Sequence, residues 1–187
     1  MQADGGVIFL DMDGVLNRKA HSTHIRLDDD LVERLRGLVI TTGACLVLTS
    51  CWRHHLEYIR CLMYRSGIPA ECVLGATPGA SIGYSDLLPL GASESIYESR
   101  AEEIKDWIRS GHSHVTRFAV LEPRAIASGD TLAAHHVMTR SDIGLSEEDA
   151  ARAKALLARP DGGFYMWSVT GLRAASNPTK PTHKPGA

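Results

Sequence analysis

Val7-Ile8-Phe9-Leu10-Asp11-Met12-Asp13-Gly14-Val15-Leu16-Asn17 is the stretch on which the reading of this chain turns. Four consecutive apolar residues running into a turn predict a strand buried on both faces, and the two aspartates that follow are delivered into the loop at its carboxyl end. Open α/β sheets place their active sites at that end. An EF-hand is the obvious competitor for an Asp-x-Asp-Gly turn. It fails, because a calcium loop begun at Asp11 needs an oxygen ligand at its fifth position and glycine at its sixth, where Val15 and Leu16 stand.

Outward from this segment, Asp28 is placed to cap a helix carrying Leu31, Leu35 and Leu38 at helical spacing, and Ala44 to Leu48 predicts a second buried strand ending at Thr49-Ser50. Leu56, Ile59 and Met63, with Cys61, mark another helix that Gly67 and Pro69 close, before a short strand around Cys72-Val73-Leu74. Gly75 to Tyr97 carries five further glycines and prolines and no periodicity, an excursion over the sheet edge. Ser99 is placed to cap a helix from Arg100 to Ile108, Arg117 to Leu121 predicts a fourth strand, and His135 to Thr139 a fifth. Ser146 with Asp149 forms a capping box for a helix to about Ala158. Strands alternating with helices imply an α/β fold, a mainly parallel five-stranded sheet in three Rossmann-like layers. Beyond Pro160 only Phe164 to Val169 resembles an element, and Arg173 to Ala187 has three prolines, three Lys or Arg and no acid. The expected division is therefore a domain over residues 1–160 and a largely disordered tail over 161–187.

The bulk properties agree with one soluble globular core. In 187 residues, 44% are apolar and 22% charged, and the net charge of −2 argues against broad capture of nucleic acid or anionic membrane while leaving room for a small basic patch. The cysteines at 45, 51, 61 and 72 contain no C-x-x-C pair, so neither a zinc ribbon nor a disulfide framework is indicated and a reducing, intracellular, cytoplasmic setting is expected. The longest run without Asp, Glu, Lys or Arg, Gly37 to Trp52, is 16 residues. That is short of the ~20 apolar residues of a membrane helix. The opening Met1-Gln2-Ala3-Asp4-Gly5-Gly6 lacks the basic and apolar regions of a secretory signal.

With its strand, D-x-D-G-V-L-N at Asp11 to Asn17 resembles the first motif of haloacid dehalogenase-like (HAD) phosphohydrolases. The chemistry is coherent: one carboxylate can attack phosphorus in line while a second, two residues on, handles the leaving-group proton. The resemblance implies that Asp11 is the nucleophile, forming an aspartyl-phosphate, and that Asp13 is the general acid and then the base for water. It implies a bound Mg²⁺ as well, with the Asp11 side chain and the Asp13 main-chain carbonyl as ligands. The second family motif, a Ser or Thr after the second strand, is met by Thr49, whose hydroxyl with the Ser50 amide would bond a phosphoryl oxygen. The plainer alternative is that Thr49 and Ser50 merely cap the following helix.

Leu48-Thr49-Ser50-Cys51-Trp52-Arg53 and the helix Ser99 to Ile108 are similar to blocks in small HAD domains associated with RNA-repair proteins, and with Gly144-Leu145-Ser146 they extend the resemblance over about residues 7–158. Trp52 and Arg53 stand at the rim and are candidates to touch substrate. The third motif asks for a cation, usually lysine, at a helix start. Arg100 occupies that place, its fork suited to two phosphoryl oxygens, and Lys105 is the alternative. The fourth motif departs from the family: where relatives carry aspartates, Leu121 runs into Glu122-Pro123-Arg124. Glu122 is then the expected metal ligand, with Asp130 as its rival. Cys51 lacks the arginine six residues on that a tyrosine-phosphatase loop needs, since Glu57 is there; Trp107 is expected in the core, and the histidine pairs 54/55, 112/114 and 135/136 are weak metal candidates.

Substrate access follows by subtraction. Neither Asn17 to Ala44, 28 residues mostly spent on a helix, nor Gly75 to Ser99, 25 residues, holds a large cap domain. An open site suits a phosphate on a large molecule, with a nucleic-acid end the expected partner and no membrane. Two other readings stand beside it: a phosphatase of nucleotides, with Gly75 to Ser99 folding over the pocket, and a binding or regulatory module that has lost turnover.

Overall fold

The structure is a computed structural model that describes residues 6–18, 26–79 and 100–159. The tail expected over 161–187, the Phe164 to Val169 segment, the Ser99 cap and most of the Gly75 to Tyr97 excursion lie outside those residues. Within them, the strands are Val7–Leu10 (β1), Cys45–Leu48 (β2), Val73–Ala76 (β3), Phe118–Leu121 (β4) and His136–Val137 (β5). They form one parallel sheet in the order β3-β2-β1-β4-β5. The helices are Asp29–Thr42 (α1), Leu56–Arg65 (α2), Arg100–Arg109 (α3) and Glu147–Leu157 (α4).

The layering follows from the handedness of the connections. From β1 the chain steps to β2 and β3 in one direction, so right-handed crossovers put α1 and α2 on the same face; the return to β4 reverses direction and puts α3 on the other. Alternation along β1 serves both sides. Ile8 and Leu10 join the cluster of Leu31 and Leu35 from α1, Ile59 and Met63 from α2, and Ala153 and Leu157 from α4. Val7 and Phe9 join Ile104, Trp107 and Ile108 of α3 with Phe118. Phe9 meets Trp107 and Phe118 edge-on at centroid distances of 5.4 and 5.6 Å, and truncating so buried a ring to alanine costs about 3–5 kcal/mol.

Boundaries differ from the sequence reading where side chains do something local. Asp28 sits at the position before α1 but does not cap it; its carboxylate instead accepts from the Arg18 amide and guanidinium, both at 3.1 Å. The helix after β2 is preceded by a 3₁₀ segment, Cys51–His55, because the Ser50 hydroxyl accepts from the Trp52 amide at 3.3 Å and tightens the first turn. The fifth strand shrinks to His136–Val137, which pairs with β4 alone. The capping box at Ser146 forms as expected, with Ser146 and Asp149 bonding each other's amides. Among the described residues no helix is long and apolar enough to cross a membrane.

The loop after β1 is braced from beneath. Gly14 has φ +78°, and a Cβ there would press on Ser141, whose Oγ would lie 2.9 Å away, so the turn admits little but glycine. The Thr139 hydroxyl donates to the Gly14 carbonyl at 2.9 Å and the Leu145 amide to that of Val15 at 2.8 Å. The Gly144-Leu145-Ser146 stretch thus holds the acidic loop in place.

Candidate active site

Three strands end level with one another. Leu10 is in register with Leu48 on one side and Leu121 on the other, so the next residues, Asp11, Thr49 and Glu122, stand side by side across the carboxyl edge. Strand spacing makes that about 4.8 Å between neighbours. Main-chain bonds carry the register one step further: the Asp11 amide donates to the Leu121 carbonyl at 3.0 Å and the Thr49 amide to that of Leu10 at 2.9 Å.

Asp11 is 6% exposed and one carboxylate oxygen accepts from the Met12 amide at 2.9 Å. Burial first, and then the Glu122 carboxylate, raise its pKa to about 7, against the pull of Arg100, the Met12 amide and Arg124. Asp13 is held on both oxygens: Oδ1 accepts from the Asn17 amide nitrogen at 2.8 Å and Oδ2 from the Trp52 indole nitrogen at 2.9 Å. Trp52, expected to touch substrate, therefore spends its N–H on orienting the second carboxylate. Asn17 is in turn fixed by the Gly14 amide, which donates to its Oδ1 at 3.2 Å.

Thr49 and Ser50 are both buried, and their roles separate. Ser50 caps the 3₁₀ segment, whereas the Thr49 hydroxyl is enclosed with no hydrogen-bond partner. Capping accounts for one of the two and leaves the other unexplained by the fold.

The cations are arranged as a chain of ion pairs. Arg53 contacts Glu103; Glu103 Oε2 accepts from Arg100 Nη1 at 2.5 Å; Arg100 Nε donates to Glu122 Oε2 at 3.0 Å; and Glu122 Oε1 accepts from Arg124 Nε at 3.0 Å and from its amide at 3.2 Å. Glu122, expected as a metal ligand, is fully buried with each carboxylate oxygen bonded to an arginine, and these contacts hold its pKa below the usual range although burial, the largest effect, pushes the other way. The His136 ring nitrogen bonds the Glu122 carbonyl at 2.9 Å and steadies its main chain. Lys105 and Asp130, the alternatives to Arg100 and Glu122, are paired with each other at 2.8 Å, with Lys105 also on Glu102 at 2.8 Å. Five residues along a helix separate Lys105 from Arg100 by about 140°, which explains why only one of them reaches the carboxylates.

Remaining candidates fall to structural duties. Burial and Asp13 push the Cys51 thiol up, the reverse of a nucleophilic cysteine. His112 stacks on Trp107 and bonds its carbonyl, and His135 bonds the Phe118 carbonyl. Among the described residues, no three His, Cys, Asp or Glu side chains group to hold a metal ion. Asn17, Glu103 and Arg124 are members of the site that sequence reasoning left without a role of their own.

Residues 7–150 match the family of the HAD domain in Swiss Army Knife RNA repair proteins. The chain belongs to this family. The match covers every strand of the sheet and all the side chains of the site, and the five-stranded parallel α/β fold is that of a HAD domain, a family of phosphohydrolases. No curated protein and no solved structure matches the chain.

Proposed function

We propose that the protein is a Mg²⁺-dependent phosphomonoesterase working through an aspartyl-phosphate on Asp11. The observation that carries the reading is the buried, unpartnered Thr49 hydroxyl standing beside Asp11 at the end of the sheet. A hydroxyl in that state costs stability, and a phosphoryl oxygen presented to it supplies the missing bond. Arg100, reaching the same cluster, brings positive charge to the other side of the group.

Asp11 attacks phosphorus and the bond to the ester oxygen breaks, with Asp13 giving that oxygen a proton. Water then attacks, Asp13 takes its proton, and the bond from phosphorus to Asp11 breaks. Asn17 and Trp52 keep Asp13 aimed through both steps. The residues fit Mg²⁺: Asp11 is a buried carboxylate whose pKa is raised by its surroundings, the state that a divalent cation relieves, and Mg²⁺ takes one or two carboxylates beside waters and substrate oxygens. It would be held by the Asp11 carboxylate and the Asp13 main-chain carbonyl, and it would offset charge on the substrate. Glu122 reaches it only by giving up an arginine.

For substrate we infer a terminal phosphate on a nucleic-acid strand, in keeping with the RNA-repair proteins after which the family is described. Glu122 engaged by two guanidiniums favours one other reading, a domain that binds phosphate with little turnover. The test is phosphate release with and without Mg²⁺ across 5′- and 3′-phosphorylated oligonucleotides, mononucleotides and phosphopeptides, with Asp11→Asn alongside. Mg²⁺-dependent release from oligonucleotides that Asp11→Asn abolishes supports the proposal. Release that survives Asp11→Asn refutes the covalent route, and binding without release supports the second reading.

A further inference from the structure

Glu103 lies three residues after Arg100 on α3, a spacing that from sequence suggests an ordinary exposed pair. It is instead 2% exposed, and both its oxygens are committed. Oε2 takes Arg100 Nη1 at 2.5 Å, while Oε1 takes the Arg53 guanidinium and the Thr77 hydroxyl. Arg53 Nη1 donates further to Thr77 Oγ1 at 3.1 Å. A Cβ at Gly79 would run into the Arg53 guanidinium, so glycine there is what lets the arginine seat under the main chain. The Arg53 Nε–H is nonetheless buried with no partner.

Burying a carboxylate between guanidiniums is a poor way to stabilise a fold, because apolar residues of similar volume do as well or better. The arrangement makes sense if the positions of the two arginines are what matters. Arg53 follows β2 by five residues and sits four past Thr49; Arg100 opens α3 and touches Glu122. Two guanidiniums brought from separate elements to one site repel each other, and one carboxylate between them removes that repulsion while fixing both.

We propose that Glu103 is a positioning residue, holding Arg53 and Arg100 as a paired clamp for the phosphoryl group, with the Arg53 Nε–H as the donor kept for the anion. The inference rests on the phosphatase reading of the site. Its test is calorimetric binding of inorganic phosphate in the presence of Mg²⁺, with steady-state kinetics on an aryl phosphate, for the wild-type chain, Glu103→Gln and Glu103→Asp. Glutamine keeps the shape but turns an NH₂ group toward one of the arginines and releases it. Phosphate affinity is expected to fall about tenfold or more, the worth of one hydrogen bond between charged groups, and KM to rise by more than kcat falls. Glu103→Asp, which keeps the charge, recovers part of the loss.

Loss in Glu103→Gln with recovery in Glu103→Asp supports the assignment. Wild-type affinity in a folded Glu103→Gln overturns it, and so does loss without recovery or failure of both variants to fold, each of which makes Glu103 a residue of the fold alone. A wild-type chain that neither binds inorganic phosphate nor releases it from any ester refutes the phosphatase reading instead.

Discussion

Replacing Thr49 by valine sets stability against function in one substitution. The Thr49 hydroxyl is enclosed beside Asp11 without a partner, and a buried hydroxyl in that condition costs about 1–3 kcal/mol. Valine exchanges it for a methyl group of nearly the same size. Allowing for imperfect fit, the ligand-free protein should gain about 1 kcal/mol, a rise in Tm of about 2–4 °C for a domain of this size. Turnover should move the other way. Loss of one donor to a charge-bearing oxygen typically lowers kcat by about 10²–10³. Calorimetric melting without phosphate or Mg²⁺ reads the first effect, and phosphate release from the best ester of the panel reads the second. A Tm that falls by a few degrees would show the hydroxyl to be bonded in the resting protein. Unchanged turnover would show that it never meets the substrate, and either result refutes the reasoning.

Further outcomes follow from the same geometry. Trp52→Phe removes the indole N–H from Asp13 and should lower kcat on alkyl phosphates by a part of the ~10²–10⁴ that general acid catalysis supplies, with less effect on aryl phosphates whose leaving group needs no proton, as parallel kinetics on the two esters will show. Glu122→Ala takes from Arg100 one of its two carboxylate partners, Glu103 remaining, and from the largely exposed Arg124 its own, and should cost about 1–3 kcal/mol in urea unfolding, with Glu122→Gln losing less; no measurable stability loss would contradict the buried bridge. Burial lowers the pKa of His135, so the unfolded chain takes up a proton that the folded one resists. Stability should therefore be full above the unfolded value of about 6.5 and decline as pH falls below it, levelling off beneath the folded pKa. His135→Gln should flatten that part of the curve when unfolding is followed between pH 8 and 5.

The layout of the sheet was legible because it rests on local pattern. Val7 to Leu10 running into Asp11, and Ser146 answered by Asp149, are statements about neighbours in sequence, and each element they predict is present within a few residues. The placing of Asp11, Thr49 and Arg100 followed from where strands and helices begin and end. What stayed hidden are the pairings made across the fold. Trp52 meets Asp13 at a separation of 39 residues, and Arg53 meets Glu103 at 50, so no periodicity announces either. Glu122 is expected as a metal ligand because it is the acid after β4, and nothing local reveals that Arg100, 22 residues earlier, converges on it beside Arg124. Asp28 misled for a related reason: its position suits a cap, but Arg18, ten residues earlier in sequence, offers its carboxylate charge-assisted bonds.

The indole of Trp52 has one more consequence. Its N–H is bonded to the carboxylate that the proposed mechanism uses as acid and base, and the emission of an indole is sensitive to a charge that close to the ring. Of the other two tryptophans, Trp107 is wedged between Phe9 and His112, and Trp167 lies beyond α4. With both replaced by phenylalanine, the remaining ring is the one bonded to Asp13, so the protein would carry an optical probe at that carboxylate that needs neither dye nor substrate.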